Sequence, residues 1–132
     1  MFTEDEKSTF PYWFAHWAAF QMTALNLHCW KFKYLFHDAE KPWLKLFFPY
    51  KKVRNIHRTH NAHHIEYQGK WDAEAMIIDW ECSRFTKEDA PMTARETYNY
   101  FINERYEKGI IDDITRNKLI EQVSPVLKKL GL

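Results

Sequence analysis

Only three glycines, Gly69, Gly109 and Gly131, punctuate this chain of 132 residues. A β-sandwich needs turn residues every few positions along its strands, and such signals are sparse here, so helices are favoured. The remaining punctuation reads as helix starts and stops. Pro11 suits the first turn of a helix carrying Trp13, Phe14, Trp17, Phe20 and Leu25, which runs to Phe36 or breaks into two near Asn26. Pro42 discourages helix at Lys41 and opens a short amphipathic piece, and Pro49 starts a third helix over 50–67, closed by Gly69.

Asp72 caps a fourth helix with Asp79 at its centre, and 86–91 form a polar link. Thr93 and Glu96 make a capping box for a fifth helix that Gly109 ends. Asp112 or Asp113 starts a sixth, which Ser124-Pro125 kinks before Gly131. The expected fold is all-α: one compact domain of five to six helices over 1–132, with 1–9 a frayed polar end.

Nineteen basic and eighteen acidic side chains nearly cancel. That gives no reason to expect a general nucleic-acid or membrane binder. The apolar runs are broken by His, Lys or Asp well before membrane-spanning length. Cys29 and Cys82 are far apart and form no CxxC pair, and the N-terminus is acidic rather than signal-like, so a cytoplasmic protein with reduced thiols is expected. Oligomeric state is left open.

The chemistry concentrates between His57 and His64, where four of the seven histidines fall in eight residues. Histidines at such spacing on a helix converge on one ion or two neighbouring ions. The plain alternative is a solvated polar face. On a helix, Val53, His57, Asn61 and His64 share a stripe flanked by His60 and His63. Adjacent His63 and His64 would then point apart, which assigns His64 to metal and His63 to substrate.

Three further features are open on residue chemistry alone. His37-Asp38 can face one ion only at a bend, and otherwise reads as a helix-terminal His followed by an Asp starting the next turn. Asp79, in Met-Ile-Ile-Asp-Trp, needs a partner if buried, either a metal or one of Arg84 and Lys87. His16, among aromatics, reads as a hydrogen-bonded core residue, and His28 is equally ambiguous. No glycine-rich phosphate loop, GxSxG elbow or HExxH pair is present.

The order His16, His37-Asp38, Asp79 resembles the HD superfamily of metal-dependent phosphohydrolases, defined by a His, a His-Asp pair and a distant Asp on helices. A closer resemblance, over about residues 12–101, is to a small phage and bacterial family of unassigned function. Its pattern is an early His, His-Asp-x-x-Lys, His-x-x-x-Asn-x-His-His-x-x-Tyr and Asp-Trp. Here these are His16, His37-Asp38, Lys41, His57, Asn61, His63-His64, Tyr67 and Asp79-Trp80. Glu40 stands where that family usually has serine, and Pro42 where it has an aromatic residue.

The resemblance promotes His16 to a ligand. It implies one or two divalent ions (Mn, Fe, Zn, Co or Ni) held by His16, His37, Asp38, His57, His64 and Asp79. It further implies hydrolysis of a nucleotide or other phosphate ester, with water activated by the metal. Asp38 would act in catalysis, Lys41 and His63 would balance phosphate charge, and Asn61 would donate a hydrogen bond. Two alternatives accompany it: a di-iron oxygenase of HD type, and a non-catalytic protein with a structural or vestigial metal site.

Overall fold

The computed structural model describes residues 9–86 and 91–132, and among these all regular structure is helical. The all-α expectation holds. Helix α1 spans Phe10–Asn26, with Thr9 as N-cap and Pro11 in its first turn. A 3-10 turn, Phe32–Phe36, leads to the short α2, Lys41–Leu44, and then to α3, Tyr50–His60. Helix α4, Ala73–Ser83, follows a loop. Helix α5, Ala94–Asn99, runs on through a π turn, Tyr100–Arg105. Helix α6, Asp113–Lys118, continues through a second π turn, Leu119–Val123, into α7, Ser124–Lys129.

Most helix starts follow the side-chain chemistry. Asp72 accepts from the Ala75 N–H at 3.2 Å, and Asp112 from the Thr115 N–H at 2.8 Å. Thr93 and Glu96 form the reciprocal capping box. Gly109 and Gly131 both adopt positive φ, of 73° and 76°. The N–H groups after them reach back to Arg105 O and Leu127 O, the signature of a Schellman stop.

Of two helix ends, the first takes the break expected near Asn26 and the second is corrected. Helix α1 stops at Asn26 because His28 takes φ 58°, and the Cys29 N–H returns to Ala24 O at 3.0 Å. This is a left-handed stop made without glycine. Helix α3 ends at His60 rather than near Tyr67, and Gly69 caps no helix. Asn61 is extended (φ −119°, ψ 128°) and its side-chain amide donates to His57 O at 2.7 Å, replacing the next helical hydrogen bond. Residues 61–66 form turns instead.

Helix α4 is the hub. Ala73, Met76 and Ile77 face a core shared with Tyr98, Leu119, Val123 and Leu127. Ala75, Ile78 and Cys82 face a second core with Phe20, Ala24 and Tyr34. Met76, Ile77 and Ile78 are completely buried. Each such side chain contributes about 1.5–3 kcal/mol through the apolar area it removes from water. Asp79 lies between the two faces, so packing α1 against α4 carries it to the end of His16. No helix among the described residues is long and apolar enough to cross a membrane.

Candidate metal centre

The site is built on a bend. Asp38 has φ 56°, a left-handed conformation uncommon outside glycine but tolerated by Asp and Asn. It follows the 3-10 turn directly, and its carbonyl accepts from Trp13 Nε1–H at 2.8 Å. That turn of the backbone lets neighbouring His37 and Asp38 face the same point.

His16, His37, Asp38 and Asp79 form the first donor group. His16 Nε2 is 2.8 Å from Asp79 Oδ1, 3.4 Å from Asp38 Oδ2 and 3.3 Å from His37 Nε2. His37 Nε2 is 3.1 Å from Asp79 Oδ1 and 3.4 Å from Asp38 Oδ2. Metal–ligand bonds of about 2.0–2.1 Å in a tetrahedron set donors about 3.3 Å apart. The donor spacing therefore fits a first-row divalent ion.

His57, His63 and His64 form the second group. His57 Nε2 and His63 Nε2 are 3.3 Å apart and lie 2.9 and 3.2 Å from the other oxygen of Asp38, Oδ1. Asp38 thus gives one oxygen to each group. Asp38 Oδ1 and His64 Nε2 are both buried without a hydrogen bond in the geometry present. The nitrogens lie close to Asp38 Oδ1, at the spacing of donors that could share an ion. A buried polar atom left this way costs roughly 1–3 kcal/mol, which a cation would offset. The residues present fit a metal centre.

Surrounding groups orient the ligands. Glu40 contacts His57 Nδ1, so Nε2 faces the centre, and the Asn61 amide donates to Glu40 Oε1 at 3.0 Å. Phe20 stacks on the His37 ring with centroids 3.7 Å apart. The Cys82 thiol donates to Asp79 O at 3.2 Å and lies 3.9 Å from His16 Nδ1. Lys41 Nζ sits 3.3 Å from Asp38 Oδ2.

Electrostatics fit this arrangement. Burial pushes both carboxyls upward, but the interactions with neighbouring basic side chains prevail and hold them well below the usual range. For Asp38 those neighbours are His37 and Lys41, and for Asp79 they are His16 and His37. Burial, with the charge of His63 beside it, pushes His64 down to about 2. His64 is therefore a neutral imidazole, the form that binds metal.

All six expected ligands come together, His64 on the second group rather than beside Asp79. Asp79 meets His16 and His37, whereas Arg84 pairs with Glu81 at 3.2 Å and Lys87 lies outside the described residues. His63 was expected to face substrate on the strength of a helix that ends before it. The turn instead buries it among the donors, while His64 lines the cavity over them. Asn61 holds Glu40 and His57 O. His28 and His60 are exposed and outside the cluster.

A cavity of about 120 Å³ opens over the centre, and Tyr12, Lys41, Tyr50, Arg54 and Arg58 line it with His16, Asp38, His57, His64 and Asp79. Sequence reasoning missed Glu40, Arg54 and Arg58. The α3 arginines had a legible signal: Arg54 and Arg58 lie one turn apart, with Arg54 three residues before His57 and Arg58 directly after it. No family model, curated protein or solved structure matches this chain.

Proposed function

We propose that this chain is a dinuclear, metal-dependent phosphohydrolase of HD type that cleaves a phosphate ester, a nucleotide among the candidates. One observation carries the reading: the two oxygens of Asp38 face separate donor groups beneath a cavity bordered by Lys41, Arg54 and Arg58. A pair of divalent ions, when bound, supplies Lewis acidity and activates water near neutral pH. Asp38 ties the two donor groups together. His16, His37 and Asp79 would hold one ion, and His57, His63 and His64 the other. Lys41, Arg54 and Arg58 balance the phosphate oxygens, which carry charge through the transition state. The free cysteines speak for a cytoplasmic setting, bacterial or in the host of a phage.

The test is a panel of nucleotides and simple phosphate mono- and diesters, assayed with manganese, iron, cobalt, nickel or zinc supplied separately. Phosphate release that vanishes on chelation and in Asp38→Ala is expected. Release that survives both would overturn the mechanism.

One observation favours a second reading. Seven residues converge, five of them histidines. So rich a nitrogen set also suits a di-iron centre that uses oxygen. Iron retained through purification, with oxygen consumed in the presence of an organic substrate, would select it.

A further inference from the structure

A second cavity, of about 310 Å³, adjoins the metal centre on the α1 side. Phe10, Tyr12, Trp13, Pro42, Leu46 and Tyr50 wall it, and His16, Asp38 and Lys41 form its inner end. Those three inner residues and the two tyrosines also line the cavity over the donor groups. A molecule spanning both spaces would have its charged end at the metals and its other end among rings. Trp13 is fixed by its hydrogen bond to Asp38 O, and Phe10 packs on it with ring centroids 5.4 Å apart. The walls are almost wholly apolar, and the polar side chains sit at the inner end and, as Thr9 and Lys45, elsewhere on the lining.

Resting on the phosphohydrolase reading, we propose that this cavity receives the organic group of the ester and selects flat, ring-bearing alcohols. Stacking and apolar burial select the ring, since the walls offer few groups to read a polar edge. In the reaction, the oxygen of water bonds to phosphorus and the bond from phosphorus to the ester oxygen breaks. The departing oxygen takes a proton derived from the water, giving a free alcohol and inorganic phosphate. Lys41 lines both cavities, where the ester oxygen would pass from one to the other.

The experiment measures binding of phenylphosphonate and methylphosphonate to the manganese-loaded full chain by calorimetry. The same titrations are made on Phe10→Ala/Leu46→Asp, whose two positions are exposed enough (59% and 70%) to spare the fold. Phenylphosphonate should bind about tenfold or more tightly than methylphosphonate to the native chain, in line with burial of one ring. In the double variant the ratio should fall to about twofold. The 5′-phosphonate analogue of adenosine separates a nucleobase from a plain arene. Whichever ring compound binds more tightly, its advantage over methylphosphonate must fall to about twofold in the variant. Equal affinities in the native chain, or a ratio that survives the substitutions, would overturn the inference alone. Failure of every phosphonate to bind would overturn the phosphohydrolase reading and this inference with it.

Discussion

His16 on α1 and Asp79 on α4 meet at 2.8 Å across 63 residues of chain. Neither residue has a local reason to be buried. Their meeting follows from α1 packing on the apolar face of α4 that carries Ala75, Ile78 and Cys82. The same packing seals one side of the donor cluster, so the fold and the candidate site share one helix pair.

The second donor group should respond to either of its neighbouring histidines. His63→Ala and His64→Ala should each lose one ion and keep the ion held by His16, His37 and Asp79. Elemental analysis of the dialysed variants checks this. Full metal content in His63→Ala would return His63 to a substrate role.

Glu40 touches His57 and not the donor centre itself. Glu40→Ala should weaken the second ion by about 10–100-fold, the usual effect of removing a carboxylate that orients a ligating imidazole. Competition with a chromophoric chelator measures the affinity. Glu40→Gln should recover part of it by keeping a contact to Nδ1, and equal affinity in Glu40→Ala and the native chain would refute the orienting role.

Asp72 offers a pH test at a carboxyl that belongs to neither donor group. Burial alone would raise its carboxyl, but Lys33 at 2.8 Å and the Ala75 N–H hold it below its ordinary value. A depressed folded pKa means that its stabilisation is present above the unfolded value, near 3.9, and is lost as pH falls through the folded value. Asp72→Ala should therefore cost about 1 kcal/mol at pH 7, as loss of an N-cap does, and almost nothing in strong acid. Urea unfolding at the two pH values reads the difference. An unchanged gap between variant and native chain would contradict the sign.

Much of the fold was legible because helix starts carry their own chemistry: Pro11, Pro49, Asp72, the Thr93–Glu96 box and Asp112. The end of α1 near Asn26 was one of two readings, and the end of α3 was not legible. His28 adopts a conformation usually left to glycine, and Asn61 closes its helix with a side-chain bond that spacing does not reveal. That His16, His37, Asp38, His57, His64 and Asp79 would belong to a possible metal-holding cluster was expected from residue chemistry and the resemblance, and the structure brings them together. The grouping was not legible, because it depends on the left-handed turn at Asp38 and on His63 entering a turn instead of a helix. Glu40 is unremarkable by type and gains meaning only from its contacts with His57 and Asn61, whereas the spacing of Arg54 and Arg58 to His57 was there to be read.

The shared role of Asp38 is the central claim, and metal stoichiometry tests it most directly. Asp38→Asn keeps a side chain suited to the left-handed backbone but leaves one oxygen where two are needed. Purified chain, reconstituted with manganese, iron or zinc and freed of excess metal, should carry two ions natively and one as Asp38→Asn, by mass spectrometry of the elements. A native chain that binds no metal, or a variant that still holds two ions, would contradict the account.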